Sequence, residues 1–161
     1  MSSQKGKCLA VIRLRGRSEI REPITSTLKL LNLTRANHAN LVIETPSVLG
    51  MLQKVKDYTT WGEPSEDTIL LLLKERAELK GGEKLTETNV NEKLGYPSIK
   101  KLAEALYNAE VGIHRIPGLT PTFKLHPPRH GFKGSRGNPF SAGGETGYRG
   151  REIDSLIRRM V

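Results

Sequence analysis

The chain has 161 residues and a formal net charge of +9, with 36% hydrophobic and only 5% aromatic residues. This composition fits one ordinary domain with a modest core and appended segments, and it excludes collagen-like repeats and disulfide scaffolds. The longest aliphatic run, residues 69–73, is far shorter than the ~18 residues of a membrane span, and the lone Cys8 indicates a reducing cytoplasm.

The first segment, residues 1–62, begins with a predicted strand and a predicted helix. Residues 8–15 are apolar and rich in branched side chains, and their alternation predicts a strand with Arg13 and Arg15 on the same side. Apolar residues at helical spacing then predict a helix over 21–31.

The same segment continues with a second strand, a second helix and a third strand. Residues 40–44 predict the second strand, and Thr45-Pro46 supplies an N-cap hydroxyl followed by proline at the first helical position. That helix is expected to bury Val48, Leu49, Leu52 and Val55. Residues 57–61 predict the third strand. This β-α-β-α-β order predicts a small α+β sheet with both helices on one face and the other face free.

The second segment, residues 63–111, is a predicted helical extension. Ser65 is the expected N-cap of a helix that ends near Leu79, and Ser98 is the expected N-cap of another that ends near Glu110. This segment has no catalytic pattern, which indicates a structural role or a docking surface.

The third segment, residues 112–161, combines a basic Gly/Pro-rich extended loop with a C-terminal helix. Residues 112–151 hold 9 of the 16 glycines and 7 Lys or Arg, against the single acid Glu145. The stretch lacks amphipathic periodicity, so we expect an extended loop that becomes ordered on a partner, with a strand-like stretch at 123–126. A flexible linker is the alternative. The final helix is expected to dock on the body through Ile153, Leu156, Ile157 and Met160.

The charge is segregated along the chain. Residues 1–62 and 113–161 each carry a net charge of +6, whereas residues 63–112 carry −3. Two basic ends suit a protein with one face on a polyanion, although chance clustering on solvated faces is an alternative. No predicted helix combines a basic stripe with Trp or Phe anchors, so nucleic acid is favoured over an anionic membrane. Aromatic residues are too sparse for a base-stacking platform, which favours contacts to the backbone and shape of folded RNA.

The candidate RNA contacts are basic or polar side chains in four places. These are the N-terminal arm, the first strand with its continuation, the loop before the second strand, and the long basic loop. The candidate RNA-binding residues are Lys5, Lys7, Arg13, Arg15, Arg17, Arg35, Asn37, His38, Arg115, Lys124, His126, Arg129, His130, Lys133, Arg136, Arg149 and Arg151.

Signals for nucleotide, metal or catalytic sites are weak. The sequence has no P-loop, and the glycine-rich residues 143–147 lack a lysine that could hold a phosphate. His126 and His130 have the i, i+4 spacing of helical metal ligands, but the two prolines between them oppose a helix. Cys8 is more typical of a small buried residue than of a nucleophile. We therefore expect no enzymatic activity, no cofactor and no metal.

Several separated strings of residues resemble one protein family. The β-α-β-α-β start, with residues 31–38 (LNLTRANH) and 44–46 (ETP), is similar to the L-thirty family of large-subunit ribosomal proteins, named L-seven in eukaryotes. Residues 60–65 (TWGEPS), 125–129 (LHPPR) and 143–147 (GGETG) resemble the longer archaeal form. Asn40 departs from the family, which usually has Val, Ile or Thr at that strand position.

This resemblance implies a ferredoxin-like fold and a non-enzymatic component of the archaeal large ribosomal subunit, located in the cytoplasm. It implies binding to 23S ribosomal RNA, a contact with 5S ribosomal RNA, and contacts with neighbouring large-subunit proteins. The sequence has no coiled-coil repeat that would suggest self-association, so we expect a monomer within the ribosome. By position, the RNA-facing elements are the end of the first strand, the Arg35 to His38 loop and the basic loop from Arg115 to Arg151.

Two other hypotheses make different predictions. A free-standing RNA-binding regulator or assembly factor would bind tightly to a short isolated RNA, and its long loop would already be ordered without partners. A small hydrolase using His126, His130 or Glu145 would lose turnover on a single substitution, but the sequence offers no nucleophile–base pair.

Overall fold

The computed structural model describes residues 6–16 and 20–161, which form a mixed α+β fold. The strands in this part of the chain are β1 (Cys8–Arg13), β2 (His38–Ile43), β3 (Thr59–Gly62), β4 (Phe123–Lys124) and β5 (Gly147–Tyr148). They form one sheet in the order β4-β2-β1-β3-β5. The central strand β1 is antiparallel to both neighbours, with Val11 opposite Asn40 on one side and Trp61 on the other.

Two helices, α1 (Glu22–Leu30) and α2 (Pro46–Lys54), cover one face of the sheet. Leu9 of β1 is buried against Leu28 and Leu52 in a hydrophobic cluster that also contains Trp61. The predicted β-α-β-α-β start is therefore confirmed, and its two helices lie on the same face, as expected.

Capping signals in the sequence locate the start of α2 correctly. The Thr45 hydroxyl accepts a hydrogen bond from the backbone N–H of Val48 at 3.1 Å, and Pro46 occupies the first turn. The expectation that Leu49 is buried is wrong, because its side chain is 40% exposed whereas Leu52 is fully buried. Adjacent positions on a helix point about 100° apart, so a single stripe facing the sheet does not include both Val48 and Leu49.

The second face of the sheet is also covered, which corrects the expectation of a free face. Ala10 and Ile12 of β1 belong to a hydrophobic cluster with Leu72, Leu102 and Ile157. These partners come from α3 (Glu66–Arg76), α5 (Ile99–Tyr107) and α6 (Ile153–Met160), respectively. The continuous apolar run of β1 explains this burial, since a strand covered on both faces is apolar at successive positions rather than alternate ones. Side chains from all three predicted segments therefore pack together.

The stretch 112–151 supplies both edge strands of the sheet. β4 is antiparallel to β2, β5 is parallel to β3, and Phe123 is fully buried. Three short 3-10 helices, at Ile113–Arg115, Phe140–Ala142 and Gly150–Glu152, interrupt the remainder. The stretch is thus anchored to both sides of the sheet by short pairings, and is not extended throughout.

The middle segment contains one helix more than its periodicity predicts. Ser65 caps α3 through the N–H of Thr68 as expected, although α3 ends at Arg76 and α5 at Tyr107, three residues earlier than predicted in both cases. The additional helix, α4 (Glu87–Leu94), begins with a capping box in which Thr86 and Asn89 satisfy each other's backbone N–H groups. Its eight residues include only two apolar side chains, which explains why periodicity gave no signal.

The C-terminal helix α6 docks on the body as predicted. Its four predicted apolar residues are each at most 1% exposed. No helix among the described residues is long and apolar enough to cross a membrane.

Candidate nucleic-acid interface

Arg13 lies inside the protein, which corrects the prediction that it projects from the first strand beside Arg15. Its side chain is only 4% exposed. Its Nη1 donates to the Leu33 carbonyl oxygen at 2.9 Å and its Nε donates to the Arg15 carbonyl oxygen at 2.9 Å. β1 ends at Arg13, so the guanidinium satisfies carbonyl groups where the chain leaves the sheet. Arg13 therefore holds this corner of the fold together.

Arg15 and Lys7, by contrast, are exposed near the two ends of β1. The Arg15 guanidinium lies over the Tyr58 ring, 4.9 Å from its centroid, and Nη1 is 3.4 Å from the Asp57 carbonyl oxygen. Lys7 Nζ lies 4.0 Å from a carboxylate oxygen of Glu63. Both cations remain accessible to a phosphate. The candidates Lys5 and Arg17 lie outside the described residues.

The loop before β2 lies against the long basic stretch. Arg35 is exposed, whereas Asn37 and His38 are half-buried. The Asn37 carbonyl oxygen accepts a hydrogen bond from the N–H of Leu125 at 3.1 Å, and His38 pairs with Lys124 across the sheet. The fold therefore brings the Arg35–His38 loop and Lys124 together, although 85 or more residues separate them in sequence. Lys124 is exposed, with its Nζ 3.7 Å from Glu78 Oε2.

His126 and Arg129 hold the C-terminal end of α6. The backbone N–H groups of these two residues donate to the carbonyl oxygens of Met160 and Arg159, at 3.1 and 2.9 Å. His126 Nε2 lies 2.7 Å from the Val161 carbonyl oxygen. The final carbonyls of a helix have no partner within the helix, so this segment supplies them. The imidazole of His126, predicted to contact RNA, is half-buried and engaged within the chain.

Two further arginines, the exposed Arg158 and the half-buried Arg76, lie beside Arg129. A cavity of about 400 Å³ is lined by Arg129, by Arg158 of α6 and by Arg76 of α3, with Glu75 on the same wall. These cations lie close together because α3 and α6 pack side by side on the sheet. Cations at such positions on helices are typical of a solvated face, so no sequence signal marks them as contacts.

Arg149 is the second predicted cation that the fold buries. Its side chain is 4% exposed, with Nη2 3.1 Å from Glu145 Oε1 and Nε 2.7 Å from Thr60 Oγ1. Burial lowers the pKa of the Arg149 guanidinium, and the hydrogen bond to Glu145 opposes this effect. Arginine nevertheless stays charged in proteins. Glu145, the single acid of the long stretch, therefore forms an internal ion pair with Arg149, and this arginine also links the end of β5 to Thr60 of β3.

The loop between Arg129, which is bonded to α6, and the Glu145–Arg149 pair has its basic side chains exposed to solvent. His130, Lys133 and Arg136 are exposed, and Arg136 lies 5.5 Å from the centroid of the Phe132 ring. The base of the loop is tied down by Glu145, whose Oε2 accepts a hydrogen bond from the N–H of Gly134 at 2.9 Å. A buried carboxylate therefore holds a loop whose outer surface is basic.

Most of the predicted RNA contacts are exposed to solvent. The exposed ones are Lys7, Arg15, Arg35, Arg115, Lys124, Arg129, His130, Lys133, Arg136 and Arg151. They occupy both ends of β1, the loop before β2 and the long basic stretch. We treat this set as the candidate nucleic-acid interface.

The weaker alternatives gain no support from the geometry. The N–H groups of Gly143 and Gly144 donate to the carbonyl oxygens of Phe140 and Pro139, so they are not turned toward a phosphate. No group of three His, Cys, Asp or Glu suited to a metal occurs among residues 6–16 and 20–161. Burial raises the pKa of the Cys8 thiol to about 12, which opposes a role as a nucleophile.

Comparison with known proteins identifies the family. The model of the family described as Ribosomal protein L30p/L7e matches residues 9–59. The large ribosomal subunit protein uL30 of Methanosphaera stadtmanae is 48% identical over 152 residues, covering 94% of this chain and 99% of the relative. The chain belongs to the L30p/L7e family of ribosomal proteins. The uL30 proteins of Thermoplasma acidophilum and Methanopyrus kandleri are 46% and 44% identical, covering 95% and 92% of this chain and 92% and 100% of the relatives.

Membership of the L30p/L7e family confirms the resemblance drawn from the sequence strings. The relatives match nearly the whole chain, so the resemblance to the longer archaeal form extends well beyond the residues that the family model matches. A structural ribosomal role follows, and the expectation of a non-enzymatic protein is confirmed by the family.

Proposed function

We propose that this chain is a structural protein of the large ribosomal subunit that binds folded 23S ribosomal RNA. Its relatives are named as large-subunit proteins, which supports the subunit assignment. The RNA partner is supported by one observation above all: the loop that carries Lys133 and Arg136 is tied down by Glu145 while its cations remain exposed. A contact with 5S ribosomal RNA and contacts with neighbouring proteins complete the proposed set of partners.

The proposed mechanism separates the cations by environment. The buried Arg13 and Arg149 fix the corners of the sheet and therefore the shape of the surface. The exposed cations neutralise phosphates, and arginines can do so through two parallel hydrogen bonds. Each phosphate contact releases counterions, so affinity falls steeply with salt. Because the loop is already tied to α6 and β5, less conformational entropy is lost on binding than for a free linker.

A charge-removal experiment tests the RNA contact directly. The double variant Lys133→Gln, Arg136→Gln removes two exposed loop cations, and Lys80→Gln, Lys100→Gln removes two exposed cations of the acidic middle segment. Equilibrium binding to large-subunit ribosomal RNA is measured at several salt concentrations. The loop variant is expected to reduce the slope of log K against log salt by about two, and the control to leave it unchanged. Equal slopes for both variants would remove the loop from the interface.

The 5S contact has its own test. Adding 5S ribosomal RNA to the complex with 23S ribosomal RNA is expected to give a ternary complex at concentrations where 5S alone binds the chain weakly. If 5S neither joins the complex nor changes its stability, the 5S part of the proposal fails and the 23S part is unaffected.

A further inference from the structure

Two exposed tyrosines line one cavity of the surface. Among the described residues, the exposed large hydrophobic side chains are Leu30, Leu49, Tyr107 and Tyr148. Tyr107 is 43% exposed and Tyr148 is 54% exposed, and both line a cavity of about 520 Å³, hereafter the tyrosine cavity. This volume lies within the roughly 300–1,000 Å³ of small-ligand sites. Tyrosine is enriched at binding surfaces, because its ring is apolar and its hydroxyl group is polar.

The rings are positioned by the fold before any ligand arrives. Tyr148 lies on the edge strand β5, opposite Trp61 of β3, and its hydroxyl donates to Glu63, with both carboxylate oxygens at 2.7 Å. That hydrogen bond is the main cause of the raised pKa of Tyr148. Tyr107 is the last residue of α5. Both rings are attached to regular elements, which reduces the entropy lost on binding.

The remaining walls of the cavity suit a nucleotide. Lys7 and Arg151 are exposed cations on its lining, and Lys7 stays largely exposed although its Nζ lies 4.0 Å from a carboxylate oxygen of Glu63. Asn108, also on the lining, offers both a donor and an acceptor to a base edge. A neutral aromatic base fits the two tyrosines, whereas a purely anionic ligand would also meet the carboxylates of Glu63 and Asp154, which lie on the same lining. The combination of rings, amide and flanking cations favours a nucleobase over a bare phosphate.

We propose that the tyrosine cavity binds one unstacked base of the ribosomal RNA, which packs on Tyr107 and Tyr148 while Lys7 and Arg151 contact its neighbouring phosphates. This inference rests on the proposed RNA-binding function and adds a base contact to an interface otherwise made of phosphate contacts. Unstacked bases of loops and bulges are the usual targets of aromatic side chains in RNA recognition.

Substitutions test the role of the rings. Stacking of one base is worth roughly a 5- to 150-fold change in affinity on alanine substitution. We expect Tyr148→Ala and Tyr107→Ala each to weaken binding to large-subunit ribosomal RNA within that range, without changing the salt slope. Tyr148→Phe retains the ring and is expected to retain most of the affinity. Leu30→Ala, which removes an exposed apolar side chain elsewhere, is the matched control.

Footprinting of the unmodified chain identifies the occupant without relying on variants. Hydroxyl radicals oxidise exposed tyrosines, and protection is read by mass spectrometry for the free chain, its complex with protein-free ribosomal RNA, and the assembled subunit. Protection of both tyrosines in the RNA complex supports the inference. If both stay reactive while the chain is bound to RNA, or are protected only when other proteins are present, the base site is refuted and the RNA-binding function stands. Failure of the chain to bind the RNA would instead refute the proposed function.

Discussion

Arg13 and Arg15 are two residues apart in the sequence and occupy opposite environments. Arg13 donates to backbone carbonyls within the fold, whereas Arg15 lies at the surface over Tyr58. Arg149 and Arg151, which follow β5, show the same contrast. Arg149 is 7% exposed, whereas Arg151 is exposed to solvent. Among the predicted contacts, burial therefore separates the cations that stabilise the fold from those that are accessible to the proposed RNA partner.

The buried pair of Arg149 and Glu145 gives a prediction about stability. Removing one partner of a buried ion pair leaves the other charge uncompensated and costs about 3–5 kcal/mol. Arg149→Ala is therefore expected to lower the free energy of unfolding by about that amount, measured by urea denaturation. Arg151→Ala, two residues along, should change it by no more than about 0.5 kcal/mol.

The same pair of variants separates structure from RNA contact. In salt titrations of RNA binding, Arg151→Ala is expected to reduce the slope by about one, whereas folded Arg149→Ala keeps it. If Arg149→Ala instead left stability intact and reduced the slope, the assignment of Arg149 to the interior would be wrong.

At the scale of elements, α6 and the basic loop depend on each other. The helix buries its apolar stripe on the sheet, and its terminal carbonyls are satisfied by the backbone N–H groups of His126 and Arg129. Arg159 in turn donates from Nη1 to the Gly131 carbonyl oxygen at 2.7 Å. These contacts fix the path of the loop against the helix that follows it.

Weakening α6 should consequently loosen the loop. Ile157 is fully buried, and truncation of such a side chain to alanine costs about 2–5 kcal/mol. Ile157→Ala is expected to accelerate tryptic cleavage after Arg129, Lys133 and Arg136, because local opening exposes these bonds more often. Ser155→Ala, an exposed position on the same helix, serves as the control. Cleavage that begins elsewhere in the chain would show that the loop is held independently of α6.

At the scale of the whole molecule, local signals predicted the core elements and tertiary contacts decided the rest. The apolar run of β1, the Thr45 cap and the stripe of α6 are each encoded within a few residues and are confirmed. The strand order and the burial of Arg13 and Arg149 depend on groups up to 89 residues away, such as Thr60 for Arg149. The covered second face of the sheet also required knowing where α3, α5 and α6 pack. Sequence reasoning therefore located the basic regions of the candidate interface but could not separate their exposed cations from the buried ones.

We propose that the exposed cations of the candidate interface act together to hold the chain on the large ribosomal subunit. Sedimentation of a tagged chain from a cell lysate through sucrose gradients, at low and at moderate salt, tests it most directly. We expect the chain to migrate quantitatively with the large subunit in both conditions, since many phosphate contacts act together on one fold. A pool that stays at the top of the gradient in both salts would contradict the ribosomal role and favour a free-standing RNA-binding regulator or assembly factor.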